Sequence, residues 1–194
     1  MKVSLCYNSW FNFWTTKSII DNLLKNAQSS ELELLIRDKT KDERTTEYFS
    51  GLSKQHENVL AVLVDDEYDD CEFERLFKEA TGEYILIYPT EEVVFIENDY
   101  ITELIYHICN IEKSGVLSIK SSTNGLNLVP LLMNLNDGFK HVWKNNKNTI
   151  NKNDLKFFRK ELLEKVNDIS MISQELSSSG YHNYYLPNKN CFNV

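Results

Sequence analysis

The hydrophobic positions change period along the chain, and strand-like and helix-like stretches alternate. Residues 2–6 form a short apolar run with β-branched Val3, which predicts a strand. Ile19, Ile20, Leu23, Leu24 and Ala27 then share one helical stripe, with Thr15 or Thr16 as its cap. A second strand is predicted at 31–37. Tyr48, Phe49 and Leu52 mark one face of a helix over 46–56. The run 59–64 is apolar almost throughout, as befits a strand covered on both faces. Phe73, Leu76, Phe77 and Ala80 return to the helical period. Asp69 and Glu72 stand before them at capping-box spacing, and Gly82 is the expected stop. A fourth strand is predicted at 83–88.

Further on, Ile101, Leu104, Ile105 and Ile108 predict a helix over 98–111, followed by a strand at 115–120. Residues 121–152 show no clean period, although 126–135 is apolar around Pro130. Leu155, Phe158, Leu162 and Val166 predict a helix over 154–166, and a second helix is expected at 169–179, ended by Gly180. A last strand is predicted at 181–186. Alternation through residue 120 predicts an α/β fold, a mostly parallel Rossmann-like sheet with helices on both faces. No repeat or linker interrupts the pattern, so 1–194 reads as a single domain.

Composition narrows the classes. The chain has 194 residues, 42% hydrophobic and 26% charged, which suits a globular domain with its own core. A net charge of −8 argues against general nucleic-acid binding, which needs a cationic surface. No apolar run approaches the ~20 residues that span a bilayer, and the polar turn at Asn8 does not fit a signal peptide. Cys6, Cys71, Cys109 and Cys191 lack zinc or disulfide spacing, so free thiols in a reducing cytoplasm are expected.

In open α/β sheets ligands sit at the carboxyl ends of the strands. That directs attention to Tyr7 and Asn8 after the first strand, Asp38 after the second, and Glu91 and Glu92 after the fourth. Trp10, Phe11, Phe13 and Trp14 form an aromatic cluster that reads either as core or as a surface that stacks on a sugar or base.

Four landmarks resemble the inverting nucleotide-sugar glycosyltransferases of family 2, which have the GT-A fold. These are Val3-Ser4-Leu5-Cys6-Tyr7-Asn8, the second strand ending at Asp38, the helix–strand junction Ala80-Thr81-Gly82-Glu83-Tyr84, and Arg159-Lys160-Glu161-Leu162-Leu163 followed by Gly180-Tyr181. The resemblance implies that Tyr7, Asn8 and Asp38 bind the nucleoside of a nucleoside diphosphate sugar. It implies that Asp168 is the base that deprotonates the acceptor hydroxyl. It also implies that Glu91 and Glu92 bind Mg²⁺ or Mn²⁺ in place of the usual Asp-x-Asp pair. The acceptor would be a glycan or a lipid-linked sugar, and a protein partner or a second copy is compatible with the class.

The departures are local. Pro89 and Thr90 occupy acidic positions of the family, and Glu72-Phe73-Glu74 replaces Ala-Arg-Asn near the phosphates. Lys39-Thr40-Lys41 replaces a Gly-Ser turn. Asp168 also reads as a helix-terminal cap, and Glu91 with Glu92 as a solvated pair. The alternative to a transferase is therefore a catalytically inactive GT-A-like domain that acts as a binding or assembly module.

Overall fold

The computed structural model describes residues 2–27, 32–63, 73–88, 98–119, 128–135, 138–145 and 155–186. Nine strands are found among them: β1 (Val3–Ser9), β2 (Leu32–Asp38), β3 (Val59–Leu63), β4 (Tyr84–Ile87), β5 (Ser114–Ile119), β6 (Leu128–Leu135), β7 (Gly138–Asn145), β8 (Lys156–Arg159) and β9 (His182–Leu186). They form one sheet in the order β3-β2-β1-β4-β8-β5-β9-β7-β6. Only β7 and β8 run against the common direction, so the sheet is mostly parallel.

Helices cover both faces because the buried strands alternate. Val3, Leu5 and Tyr7 of β1 belong to one core, with α1 (Phe13–Ala27), α2 (Glu43–Gln55) and α4 (Asn98–Asn110). Cys6 between them belongs to the other, with α3 (Glu74–Glu79) and α5 (Ile172–Ser178). A continuous apolar run is what a strand with two dry faces requires.

The predicted helix over 154–166 is corrected. Residues 156–159 are β8, wedged antiparallel between β4 and β5, and Lys160–Lys165 is a 3₁₀ turn. Phe157 packs into one core and the adjacent Phe158 into the other. Neighbours on opposite faces are the mark of a strand. The helical spacing of Leu155, Phe158, Leu162 and Val166 was coincidental, since Leu155 and Phe158 lie on different faces.

Smaller corrections concern helix ends. Asn12 caps α1 by accepting from Thr15 N at 3.1 Å, in place of the expected threonines. Helix α2 begins three residues before the expected start, capped by the Asp42 side chain on Arg44 N. The proposed Asp69 cap lies outside the described residues. Gly82 has no left-handed backbone, unlike Gly180 at φ 85°. Its role is close packing against β1. Residues 128–135 and 138–145, in the stretch that shows no clean period in sequence, are β6 and β7, paired antiparallel. Pro130 fits there because β6 is the outer edge and needs fewer backbone donors.

At the amino ends of the strands, the Glu33 carboxylate ties three segments together. It accepts from Ser4, from the Thr81 hydroxyl at 2.6 Å and from Gly82 N at 3.1 Å, and pairs with Lys2 at 2.8 Å. Burial raises its pKa, but the hydrogen bonds from Lys2, Ser4 and Thr81 outweigh it and hold the carboxyl at about 2 instead of the usual 4.5. A lowered pKa stabilises the fold above the unfolded value, and that stability is lost as pH falls through the folded one. Between pH 4.5 and 2 the chain is therefore expected to lose roughly 2 kcal/mol through this group, after allowance for solvent screening. Urea denaturation of wild type and Glu33→Gln across that range checks this. A constant difference between the two at all pH values would contradict it.

Candidate functional site

The strand order reverses between β1 and β4. β1 connects through α1 on one face, whereas the chain enters β4 from α3 on the other. In open α/β sheets such a reversal is where ligands bind, at the carboxyl ends of the strands. Tyr88 follows β4, with its backbone N–H on Cys6 O at 2.9 Å, and its ring meets Tyr7 edge-on at 5.4 Å.

Tyr7 and Asn8 are fully buried at the end of β1. The Tyr7 hydroxyl makes no hydrogen bond, and neither do the oxygen and nitrogen of the Asn8 amide. Burial pushes the Tyr7 pKa up to about 12, against the pull of the neighbouring Thr16 and Ser9 hydroxyls. The phenol thus stays a neutral donor. An unpaired buried polar group costs about 1–3 kcal/mol, so this end of β1 is held at a cost to stability.

Ser9 pairs with Asp38 across the β1–β2 ladder, which sets Asp38 beside this edge. Its Oδ1 accepts from Thr40 N at 3.0 Å and the Thr40 hydroxyl at 2.7 Å, and its Oδ2 accepts from the Thr46 hydroxyl at 3.1 Å. These bonds fix the carboxylate's orientation and leave part of its acceptor capacity open. Ser9 and Thr16 hydroxyls lie 3.3 Å apart below it, and the Thr45 hydroxyl, buried on α2, is unpaired. This hydroxyl cluster was missed in sequence. Its signal was the run of Thr40, Thr45 and Thr46 directly after Asp38.

Trp10 is 51% exposed just beyond β1, and the Lys39 ammonium lies 4.7 Å from its ring centre. Lys39 follows Asp38 directly, so an exposed indole and a cation stand together just past the carboxyl ends of β1 and β2.

Asp168 lies in the segment before α5, and its side-chain hydrogen bonds are to Ser170 rather than to Tyr7, Asn8 or Asp38. It is exposed, and its Oδ1 accepts from Ser170 N at 2.8 Å and the Ser170 hydroxyl at 2.7 Å. Glu175 accepts from the backbone N–H groups of Asn167 and Asp168 and fixes that turn. Glu91 and Glu92 lie outside the described residues. Among the described residues, no three His, Cys, Asp or Glu side chains gather to hold a metal ion. No helix among them is long and apolar enough to cross a membrane.

No protein-family model matches the chain, and no curated protein matches it. Solved structures do. The mannosyltransferase PcManGT from Pyrobaculum calidifontis, in complex with GDP-Man and Mn²⁺, superposes with a TM-score of 0.71 at 14% identity. The match covers 98% of this chain and 56% of that one. S. aureus TarS 1-349 gives 0.61 at 15% identity, covering 98% of this chain and 59% of that one. A second structure of S. aureus TarS gives 0.64 at 16% identity, covering 98% and 36%. The chain thus spans little more than half of PcManGT and of TarS 1-349. It has the GT-A-like fold of nucleotide-sugar glycosyltransferases.

Proposed function

We propose that this chain, as a single domain, transfers a sugar from a nucleoside diphosphate donor to a hydroxyl of a glycan or lipid-linked acceptor, with inversion. The observation that carries this reading is the buried, unpaired Asn8 amide at the carboxyl end of β1, where the strand order reverses. It supports the reading because polar groups left unpaired at a ligand edge suit a polar ligand. Glycosyltransferases that share the fold add to the support.

In this reading Trp10 stacks on the base and Asp38 accepts from ribose hydroxyls. Tyr7 and Asn8 supply a neutral donor and an amide at the floor. Asp168 takes the acceptor's proton through its open Oδ2. The acceptor oxygen bonds to the anomeric carbon as the bond from that carbon to the diphosphate oxygen breaks, and the diphosphate leaves with the electron pair. Glu91 and Glu92 are the proposed ligands of Mg²⁺ or Mn²⁺, which would neutralise the leaving diphosphate. A cytoplasmic setting and a partner or second copy belong to the same proposal.

The test is titration calorimetry with UDP, GDP, dTDP and CDP, each with and without Mn²⁺. One nucleotide is expected to bind, more tightly with Mn²⁺. Asp38→Ala is expected to weaken it by about 10- to 100-fold, the worth of a charged hydrogen bond. Trp10→Ala, at an exposed position, provides a second variant that does not threaten folding. Absence of binding at millimolar nucleotide would overturn the donor site. The inactive-module reading would then stand, favoured by the Asp38 carboxylate already engaged by Thr40 and Thr46 and by Asp168 serving as a cap.

A further inference from the structure

Trp14, on the first turn of α1, is 67% exposed. It is not left loose. Phe13 packs against it edge-on at 5.0 Å, and Tyr48 of α2 packs edge-on against Phe13 at 6.1 Å. The Tyr48 hydroxyl donates to Asp21 at 2.7 Å, and Asp21 also pairs with Lys17. Lys17 lies over the Tyr48 ring at 5.3 Å. Arg44 lies over Phe13 at 5.6 Å and pairs with Asp42 at 2.9 Å. An exposed indole is thus set among rings and polar groups that already orient one another.

We propose that this face of α1 and α2 is a carbohydrate platform, with Trp14 as its stacking ring, which holds a neutral pyranose chain beside the donor edge. The apolar face of a pyranose matches an exposed indole, and its hydroxyls match paired side chains that both donate and accept. Charge selects this occupant. Lys17 and Arg44 are each neutralised by an aspartate, so the face offers no net cation to an anionic ligand. Binding to an acidic lipid surface needs a cluster of unpaired cations, and the chain's charge of −8 opposes it. A protein partner would call for a contiguous apolar patch, and among the described residues of α1 and α2 Trp14 is the one exposed large apolar side chain.

The platform adjoins the proposed nucleotide site through sequence, since Trp10 and Trp14 flank the entry to α1. If the transferase reading holds, the platform binds the acceptor chain. Sugar binding itself is measured without nucleotide, so either proposal can fail alone.

The experiment is a tryptophan-fluorescence titration of the full chain with malto-, manno- and chito-hexaose. At least one is expected to bind saturably at millimolar concentration. Trp14→Ala is expected to weaken it about tenfold or more, with the nucleotide affinity unchanged. Asp21→Asn, which disturbs the Lys17 and Tyr48 contacts, is expected to weaken it less. Three results would overturn the proposal: no saturable binding of any of the three, unchanged binding in Trp14→Ala, or a Trp14-dependent association with phosphatidylglycerol vesicles or with a second copy in place of sugar binding.

Discussion

Gly82→Ala is expected to destabilise the chain by about 3 kcal/mol, although it adds a single methyl group to a backbone that alanine can adopt. The added Cβ would lie 2.6 Å from Ser4 Oγ, 2.7 Å from Ser4 N and 2.9 Å from Lys2 O. The hydroxyl can rotate away, but the two backbone atoms belong to the segment that forms β1 and cannot. Movement of Gly82 would also disturb its N–H, which donates to Ser4 Oγ at 2.8 Å and to Glu33 at 3.1 Å. Gly51 provides the contrast. It lies inside α2 with nothing within 4 Å of a built Cβ. There alanine is expected to stabilise by about 0.8 kcal/mol, through helix propensity. Urea denaturation of the two variants beside wild type gives opposite signs if the close approach is what matters at Gly82. Equal, small effects would show that β1 and the Gly82 turn separate more easily than their packing indicates. Gly82 lies at the amino edge of the sheet, away from the carboxyl strand ends where the nucleotide is proposed to bind, so nucleotide affinity should survive in folded Gly82→Ala.

The periodicity of the sequence was most legible where burial is simplest. The runs that became β1, β2 and β4 are buried along their length, and their apolar positions leave little choice of period. β3 departs from the expectation of two covered faces, because it is the edge strand and its Leu60 is 39% exposed. β8 was hidden by its position. A strand wedged between two others buries Phe157 and Phe158 on opposite sides, and with Leu155 and Leu162 nearby that pattern imitates a helical stripe. The β6–β7 pair was hidden for the opposite reason. It lies at the end of the sheet, where Pro130 reads as a break until the outer edge is known. Tyr7, Asn8 and Asp38 could be placed at the ends of β1 and β2 because strand ends can be counted. The threonines that hold Asp38 were not, because hydrogen bonds between a strand end and the next helix leave no period in the sequence. Asp168 shows the limit of reading a role from position. The same carboxylate caps a turn and stands where a catalytic base is proposed, and its sequence neighbours are compatible with both.

Asn8→Leu is expected to separate stability from binding. The Asn8 side chain is fully buried, with neither amide atom hydrogen-bonded, so the folded chain carries the desolvation of both. Leucine has the same number of side-chain heavy atoms and the same branching, with no polar atoms, although its methyl groups are bulkier. Removing the unmet groups should stabilise the fold by about 1–2 kcal/mol, since replacing an unpaired buried polar group by an apolar one of similar shape recovers much of its cost. Most buried polar positions behave in the opposite way, because their substitution orphans a partner. Here no hydrogen-bond partner would be orphaned. If Asn8 is unpaired because it meets the donor, the same variant should lose nucleotide affinity by about 100-fold, close to 3 kcal/mol. Destabilised sites of this kind are where stability and activity are expected to oppose each other. Thermal denaturation and calorimetry on one preparation would measure both effects. A gain in stability with unchanged nucleotide binding would leave Asn8 a plain packing defect and remove the observation that carries the transferase reading. A loss of stability would show that the amide is satisfied in solution or that the position cannot take the larger leucine, and the site would then rest on Asp38 and Trp10 alone. A gain in stability together with loss of binding is the outcome that a ligand-directed amide at the end of β1 requires.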